Sequence, residues 1–238
     1  MIRPLVTLIY KELKEYLTTS LFYLLSCLAL GILGWFFFNQ LVLMRENANI
    51  PSENILLIPF LGNLNFIFVF LIPVLTMKSL GQELRDETIL ILTQSKLSIT
   101  QIILGKFISL GMIILLFLCI GLLFPFLISL STKVYWPHVW VGLLGVFLIA
   151  LSYCAIGLFT STLTDHPAVC VFMSVAIILF LMVLMSAGLF WENFSLTYHL
   201  EFLMQGVLRP KDLIYFTSFI SFVLYLTYVK LKNRVLFV

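Results

Sequence analysis

Residues 84–106, LRDETILILTQSKLSITQIILGK, separate two long runs of almost entirely apolar residues. The stretch carries Arg85, Asp86 and Glu87 near its start, mixes polar with apolar residues further on, and ends in Gly105-Lys106. Charged side chains are costly inside a bilayer, whereas a run of about 20 apolar residues is long enough to cross one as a helix. The stretch therefore predicts a polar segment that joins two membrane-spanning helices.

The composition of the whole chain agrees with this interpretation. Of its 238 residues, 62% are hydrophobic and 11% are charged, whereas ordinary soluble domains are about half apolar and about a quarter charged. A soluble protein of this size has too little interior to bury so much apolar surface. Backbone polar groups in lipid must be paired within the chain, so we predict an all-α integral membrane protein.

Six windows of the chain are long and apolar enough to cross the hydrocarbon core as helices. We predict an interfacial elbow helix at residues 1–20 and a six-span transmembrane domain at residues 21–238. The predicted spans are residues 21–43, 62–80, 107–131, 140–163, 167–190 and 213–231. Residues 81–106 then join spans two and three, and residues 191–212 form a segment on the other side of the membrane.

The N-terminal stretch has the periodicity of an amphipathic helix. Its apolar residues recur at steps of three and four, and they are Ile2, Leu5, Ile9, Leu13, Tyr16 and Leu17. Polar residues occupy the opposite face, and they are Arg3, Thr7, Lys11, Lys14 and Thr18. This pattern is typical of a helix that lies in the headgroup plane.

The distribution of basic residues orients the spans. If the N-terminus is cytoplasmic, the inner segments hold ten of the 14 Lys and Arg residues and the outer segments hold the other four. Cytoplasmic loops are rich in Lys and Arg, so both termini and residues 81–106 are predicted to lie in the cytoplasm.

Residues 81–106 have the pattern of a helix, a break and a second helix. The apolar face of the first piece begins just before this segment and consists of Leu80, Leu84, Ile91 and Leu92. Ser95 and Lys96 indicate the break, and either Ser98 or Thr100 is a suitable N-cap for a second helix that continues into span three. In the outer segment, near-helical spacing of Leu196, Leu200, Leu203 and Val207 predicts a short helix that Gly206 ends.

No residue of the chain has the pattern of an energy-capturing or catalytic group. The predicted span cores contain no Asp, Glu, Lys, Arg or His, which disfavours an ion-coupled transporter and an intramembrane enzyme. His138, His166 and His199 lack metal-ligand spacing, and the four cysteines form no CxxC motif. Gly105-Lys106 is not part of a phosphate-binding loop, since that motif needs Gly in place of Thr100 and Ser or Thr in place of Phe107. We predict no catalytic residue, no metal and no cofactor in this chain.

Several stretches resemble type-2 ABC exporter permeases, and most of all the branch associated with gliding motility and nitrous-oxide-reductase maturation. The similar residues are Glu83, Arg85, Glu87-Thr88-Ile89, residues 101–107 (QIILGKF), residues 10–25 (YKELKEYLTTSLFYLL), residues 156–165 (IGLFTSTLTD) and residues 198–216 (YHLEFLMQGVLRPKDLIYF). The chain departs from the pattern of that branch at Glu87, Leu90 and Lys96, where the branch has Gly, Glu and Pro. The similar stretches are distributed over the whole chain.

The resemblance implies a membrane subunit of the bacterial cytoplasmic (inner) membrane that works with a separate P-loop ABC ATPase subunit. That subunit would bind ATP and press on residues 81–106, the coupling region. The implied ATPase contacts are Glu83, Arg85, Asp86, Glu87, Thr88 and Ile91, with a second cytoplasmic contact at Thr164, Asp165 and His166. A second permease subunit, identical or different, would complete the translocation path, and no nucleic acid is involved.

Two other functions fit the same pattern. One is a haem-exporter-like membrane subunit of cytochrome c maturation, and the other is a non-transporting scaffold or mechanotransmitter driven by an ATPase. The sequence leaves the transported substrate open.

Overall fold

The computed structural model describes residues 2–46, 56–77, 79–81, 98–130, 135–184 and 194–236. Within these ranges the chain forms nine α-helices and no strand. The helices are α1 (Ile2–Thr18), α2 (Ser20–Glu46), α3 (Ile58–Thr76), α4 (Ile99–Gly121), α5 (Leu123–Ser129), α6 (Trp136–Leu163), α7 (Pro167–Val183), α8 (Leu196–Met204) and α9 (Pro210–Leu236). The prediction of an all-helical chain is confirmed for this part of the protein.

Five helical segments of the described chain are long and apolar enough to cross a membrane. They are Ser20–Leu43, Ile58–Thr76, Ile99–Ser129, Trp136–Leu163 and Pro210–Arg234. The sixth predicted span, residues 167–190, is described up to residue 184, and its helix α7 has 17 residues. Residues 185–190 lie outside the described part of the chain.

Helix α6 forms the centre of the bundle. It contacts α3, α4, α7, α8 and α9, and its 18-residue membrane window is 72% buried, against 22% for the windows of α2 and α9. Gly157 of α6 permits a close approach to α3, because a Cβ atom there would collide with the Thr76 side chain. Deeper in the core, the Tyr153 hydroxyl of α6 donates a hydrogen bond of 3.1 Å to Asn65 Oδ1 of α3.

Prolines explain why two helices begin earlier than predicted. Helix α3 begins at Ile58 rather than Gly62, with Pro59 in its first turn, and α6 begins at Trp136 rather than Trp140, with Pro137 in its first turn. The first turn of a helix has no intrahelical partner for its N–H groups, so proline is accommodated there without loss.

Pro125 interrupts the third span. Helix α4 ends at Gly121, and α5 begins two residues later at Leu123. Pro125 has no N–H with which to bind the carbonyl of Gly121, four residues before it, and its ring crowds that carbonyl. The interruption of the third span is therefore explained by Pro125.

The short helix predicted between spans five and six is α8, and its apolar face is buried as expected. Leu196, Leu200 and Leu203 are each at most 1% exposed. The helix ends at Met204, and Gly206 follows with a φ of 76°, a left-handed conformation that favours glycine. Pro210 is the first residue of α9.

Candidate coupling site at the α1 face

One end of the bundle, which we call the α1 face, gathers helix α1, residues 79–81, the start of α4, the end of α6 and Arg234. Helix α1 packs on α4 through a stripe of residues four apart, namely Leu8, Glu12 and Tyr16. Leu8 is 4% exposed and Glu12 is 3% exposed, whereas Lys11, Lys14 and Glu15 are exposed. The amphipathic pattern predicted the helix, but its packed stripe includes an acid.

Glu12 is buried because it pairs with Lys106 of α4. Lys106 Nζ donates a hydrogen bond of 2.9 Å to Glu12 Oε1, and the two side chains are 2% and 5% exposed. Two charges so far from water are tolerated only when they face each other, since each alone carries a desolvation penalty of several kcal/mol. The pair therefore ties α1 to the beginning of the third span.

Gly105, next to Lys106, lets the two helices approach. A Cβ atom on Gly105 would lie 2.7 Å from Leu8 Cδ2, closer than van der Waals contact allows. Gly105-Lys106 is thus the contact site for α1. The glycine leaves room for Leu8, and the lysine supplies a buried charge that pairs with Glu12.

Tyr16 extends the contact of α1 to the residues that precede the coupling region. Its phenol is buried beside the Ser79 hydroxyl, without a hydrogen bond of normal geometry between the two groups, and lies near Lys106. Burial raises the pKa of the Tyr16 phenol, so this group stays neutral at physiological pH. Helix α1 therefore lies beside Ser79, just before the coupling region, and contacts Gly105-Lys106 at its end.

The start of α4 has a complete N-terminal cap. Gln101 N donates to Ser98 Oγ across 3.3 Å, and Ser98 N donates to Gln101 Oε1 across 3.1 Å. This reciprocal capping box satisfies two backbone groups at the start of the helix. Of the two N-caps that the sequence allows, the structure uses Ser98, and the predicted continuation of this helix into span three is confirmed.

Gly81 brings the beginning of the coupling region to the end of α6. A Cβ atom on Gly81 would lie 3.1 Å from the main-chain oxygen of Ser161 and 3.2 Å from that of Thr164. Only glycine fits here without displacing backbone, and Gly81 is immediately followed by residues 82–97. The entrance to the coupling region is therefore adjacent to the turn 164–166, which is the second predicted contact.

The turn 164–166 is held by the last helix. Arg234 Nη1 donates a hydrogen bond of 2.7 Å to Asp165 Oδ1, and Arg234 Nη2 lies 3.5 Å from the carbonyl oxygen of Leu163. Within the turn, His166 N donates to Thr164 Oγ1 across 3.2 Å. Asp165 and His166 are exposed, so the turn has two solvent-accessible side chains, and hydrogen bonds hold its backbone.

The first predicted contact lies outside the described residues. It comprises Glu83, Arg85, Asp86, Glu87, Thr88 and Ile91, all within residues 82–97, which the structure does not describe. Their role in ATPase binding stays a prediction, and so does the effect of the departures at Glu87, Leu90 and Lys96.

Two of the three histidines bind protein groups at the other end of the bundle. His138 Nε2 donates to the carbonyl oxygen of Met204 across 2.6 Å, and His199 Nδ1 donates to Asp212 Oδ1 across 2.6 Å. His199 and Asp212 are both 1% exposed. Among the described residues, no group of three or more His, Cys, Asp or Glu side chains could hold a metal ion.

Comparison with known protein families identifies one family that matches nearly the whole chain. The family described as ABC-2 family transporter protein matches residues 6–233. The chain belongs to the ABC-2 family. It is a multi-pass membrane protein and a permease subunit of an ABC transporter. A search of curated individual proteins returns no match.

In this ABC-2 permease, the residues that hold the α1 face together are distant in sequence and were not among the predicted site residues. Glu12 and Lys106 are 94 positions apart, and Asp165 and Arg234 are 69 apart. The local signal for Glu12 was its place four residues from both Leu8 and Tyr16, inside an apolar stripe. An acid in such a stripe indicates a buried partner, but the periodicity does not identify which basic residue it is.

Proposed function

We propose that the chain is the permease subunit of an ATP-driven exporter, and that a separate ABC ATPase docks on the α1 face. ABC-2 family membership supports the role of a transport component that associates with an ABC ATPase. The close approach of Gly81 to Ser161 and Thr164 carries the proposal, because it puts the first residue of the coupling region beside the turn 164–166. A partner at the turn 164–166 would thus be beside the coupling region as well.

The anchoring of the coupling region supports its use as a lever. On one side, residues 79–81 are buried against α1 and the end of α6. On the other side, Ser98 caps α4 and Lys106 pairs with Glu12. A force applied between these anchors passes into α3 through residues 79–81 and into α4 through the helix that Ser98 begins.

We propose that the chain crosses a bacterial inner membrane six times, with the α1 face on the cytoplasmic side. Helix α1 and Arg234 of α9 both lie at the α1 face, so the chain between them crosses an even number of times. Five helical segments meet the length and composition of a span. Helix α7 supplies the sixth crossing, because it follows the turn 164–166 and precedes α8, which is packed at the opposite end. The excess of basic residues in the inner segments supports the orientation.

A second permease subunit completes the translocation path in this proposal. The membrane windows of α2 and α9 are each only 22% buried within one chain, which leaves surface for lipid and for a second copy or a related subunit. The resemblance of residues 198–216 to the gliding-motility and nitrous-oxide-reductase-maturation branch favours that branch over a haem exporter.

Co-purification with an ATPase tests this function. The permease is expressed with candidate P-loop ABC ATPases and recovered in mild detergent, and we expect one of them to be retained. Glu83→Lys should lower that recovery while membrane insertion is unchanged, whereas Glu201→Lys, the same charge change at an exposed position of α8, should not. Absence of any retained ATPase, or equal recovery for both variants, would contradict the proposed docking surface.

Export is separated from scaffolding by the reconstituted complex. If ATP hydrolysis in proteoliposomes is accompanied by movement of a tested solute or lipid, the exporter is supported. Hydrolysis with no movement across a broad panel of lipids, peptides and haem would favour the mechanotransmitter.

A further inference from the structure

We infer that Glu12 and Lys106 are positioning residues that make α1 a rigid extension of the start of α4, so that both move together when the coupling region moves. This inference rests on the proposed function, since it concerns how force from the ATPase enters the spans. It assigns α1 a role in force transmission in addition to its predicted place in the headgroup region.

The charge pair makes separation of the two helices costly. Both side chains are nearly inaccessible to solvent, and the ion pair has a hydrogen-bonded length of 2.9 Å. A displacement of α1 relative to α4 would leave a buried ammonium and a buried carboxylate without each other. Such a contact has one favourable arrangement, and so the helices are expected to keep it throughout the transport cycle.

The close fit between the surfaces of α1 and α4 also supports a rigid unit of these two helices. Gly105 has no side chain where Leu8 enters, and Leu8 is itself 4% exposed. One turn of α4 further on, Ser109 Oγ donates to the carbonyl oxygen of Lys106 across 2.8 Å. The contact site for α1 is therefore close-packed. Its lysine ammonium and the Ser109 hydroxyl both have hydrogen-bond partners within the protein.

Helix α1 also has a direct route into the first span. Thr19 is the single residue between α1 and α2. Thr19 N donates to the carbonyl oxygen of Glu15 across 3.2 Å, and Phe22 N donates to that of Thr19 across 3.0 Å. Because this connection is short and hydrogen-bonded, movement of α1 is transmitted to α2.

A disulfide between α1 and α4 tests the rigid unit. The Cβ position of Gly105 lies 4.0 Å from Leu8 Cβ, within the range of about 3.5–4.5 Å that disulfides require. Leu8→Cys/Gly105→Cys is made in a background with Cys27→Ser and Cys119→Ser, since those two thiols are exposed. The complex with its ATPase is reconstituted in proteoliposomes, and permease-dependent ATP hydrolysis is measured before and after oxidation.

We expect the oxidised and reduced forms to hydrolyse ATP at the same rate, because the disulfide joins parts that never separate. Loss of activity on oxidation, restored by reductant, would overturn the inference. Failure of the unmodified permease to recruit or stimulate any ATPase would instead reject the proposed function, and the inference would be rejected with it.

Charge substitutions provide the second measurement. Glu12→Gln should reduce permease-dependent ATP hydrolysis several-fold while the amount of ATPase recovered with the permease stays the same. The exchanged pair Glu12→Lys/Lys106→Glu should restore coupling. Glu15→Gln, on the exposed face of the same helix, is the matched control. If Glu12→Gln couples like the unmodified protein, the inference is wrong; if it does not accumulate, the disulfide result decides alone.

Discussion

Arg234 Nη1 donates a hydrogen bond to Asp165 Oδ1 across 2.7 Å, and so joins the last helix to the turn between α6 and α7. The Asp165 side chain is 51% exposed and that of Arg234 is 31% exposed. Solvent screens such a pair, and its contribution to stability is about 0–1 kcal/mol. The main effect of the pair is to hold the turn 164–166 in a fixed orientation relative to α9.

Arg234→Gln should therefore weaken ATPase binding more than it weakens the fold. We expect a thermal unfolding midpoint in detergent close to that of the unmodified permease, together with reduced recovery of the ATPase. Lys230→Gln, an exposed residue on the same helix, is the control for loss of a basic charge. A large drop in thermal stability with normal ATPase recovery would show that the pair is structural.

Removal of Glu12 should be among the most destabilising single changes at the α1 face. Glu12→Ala removes the buried ion pair that Lys106 Nζ makes with Glu12 Oε1, and breaking a buried pair costs about 3–5 kcal/mol. Replacing both with apolar residues of similar size, Glu12→Leu/Lys106→Met, should recover most of this loss, since no charge stays buried. Thermal unfolding followed by intrinsic fluorescence measures both; equal stability of the single and double variants would argue against a buried pair.

Gly157→Ala should destabilise the contact between α3 and α6. The added methyl group would collide with Thr76, and overpacking of this kind costs about 1–3 kcal/mol. Gly31→Ala is the matched control, because a Cβ atom at Gly31 has nothing within 4 Å. The prediction fails if the two variants unfold at the same temperature.

Ser98→Ala should loosen the first turn of α4. Loss of an N-cap typically costs about 1 kcal/mol. In the unmodified protein the Gln101 backbone N–H donates to Ser98 Oγ, and the substitution removes this acceptor. Hydrogen exchange of residues 99–106 should become faster. Thr100→Ala should have a smaller effect; a reversed order would identify Thr100 as the cap in solution.

Cysteine labelling in intact cells tests the proposed orientation. In a background with Cys27→Ser and Cys119→Ser, Lys211→Cys should react with a membrane-impermeant maleimide from outside. Lys14→Cys should react only after the cells are permeabilised. Labelling of Lys14→Cys in intact cells would reverse the orientation, and labelling of both positions from one side would contradict the sixth crossing by α7.

How much the sequence predicted depends on the range of the interaction. Apolar runs and local caps are properties of neighbouring residues, so they indicated the helices and the start of a helix near Ser98. The predicted starts of α3 and α6 were four residues late, because Pro59 and Pro137 were placed outside helices whose first turns accommodate them.

The residues that assemble the candidate site interact across long stretches of chain. Glu12 was assigned to no partner, Gly81 had no assigned role, and Arg234 was counted only as an orientation signal. Each acts through a residue of another helix, and local periodicity contains no information on which helices become neighbours.

The sequence alone determined that this chain is a helical membrane protein, because long apolar runs are a matter of composition and local order. Only the tertiary structure decided that the N-terminal helix is bound to Gly105-Lys106 and that Gly81 reaches the end of α6. The partner of a buried charge, or the neighbour of a closely packed glycine, depends on which helices pack together. That packing is a property of the three-dimensional fold.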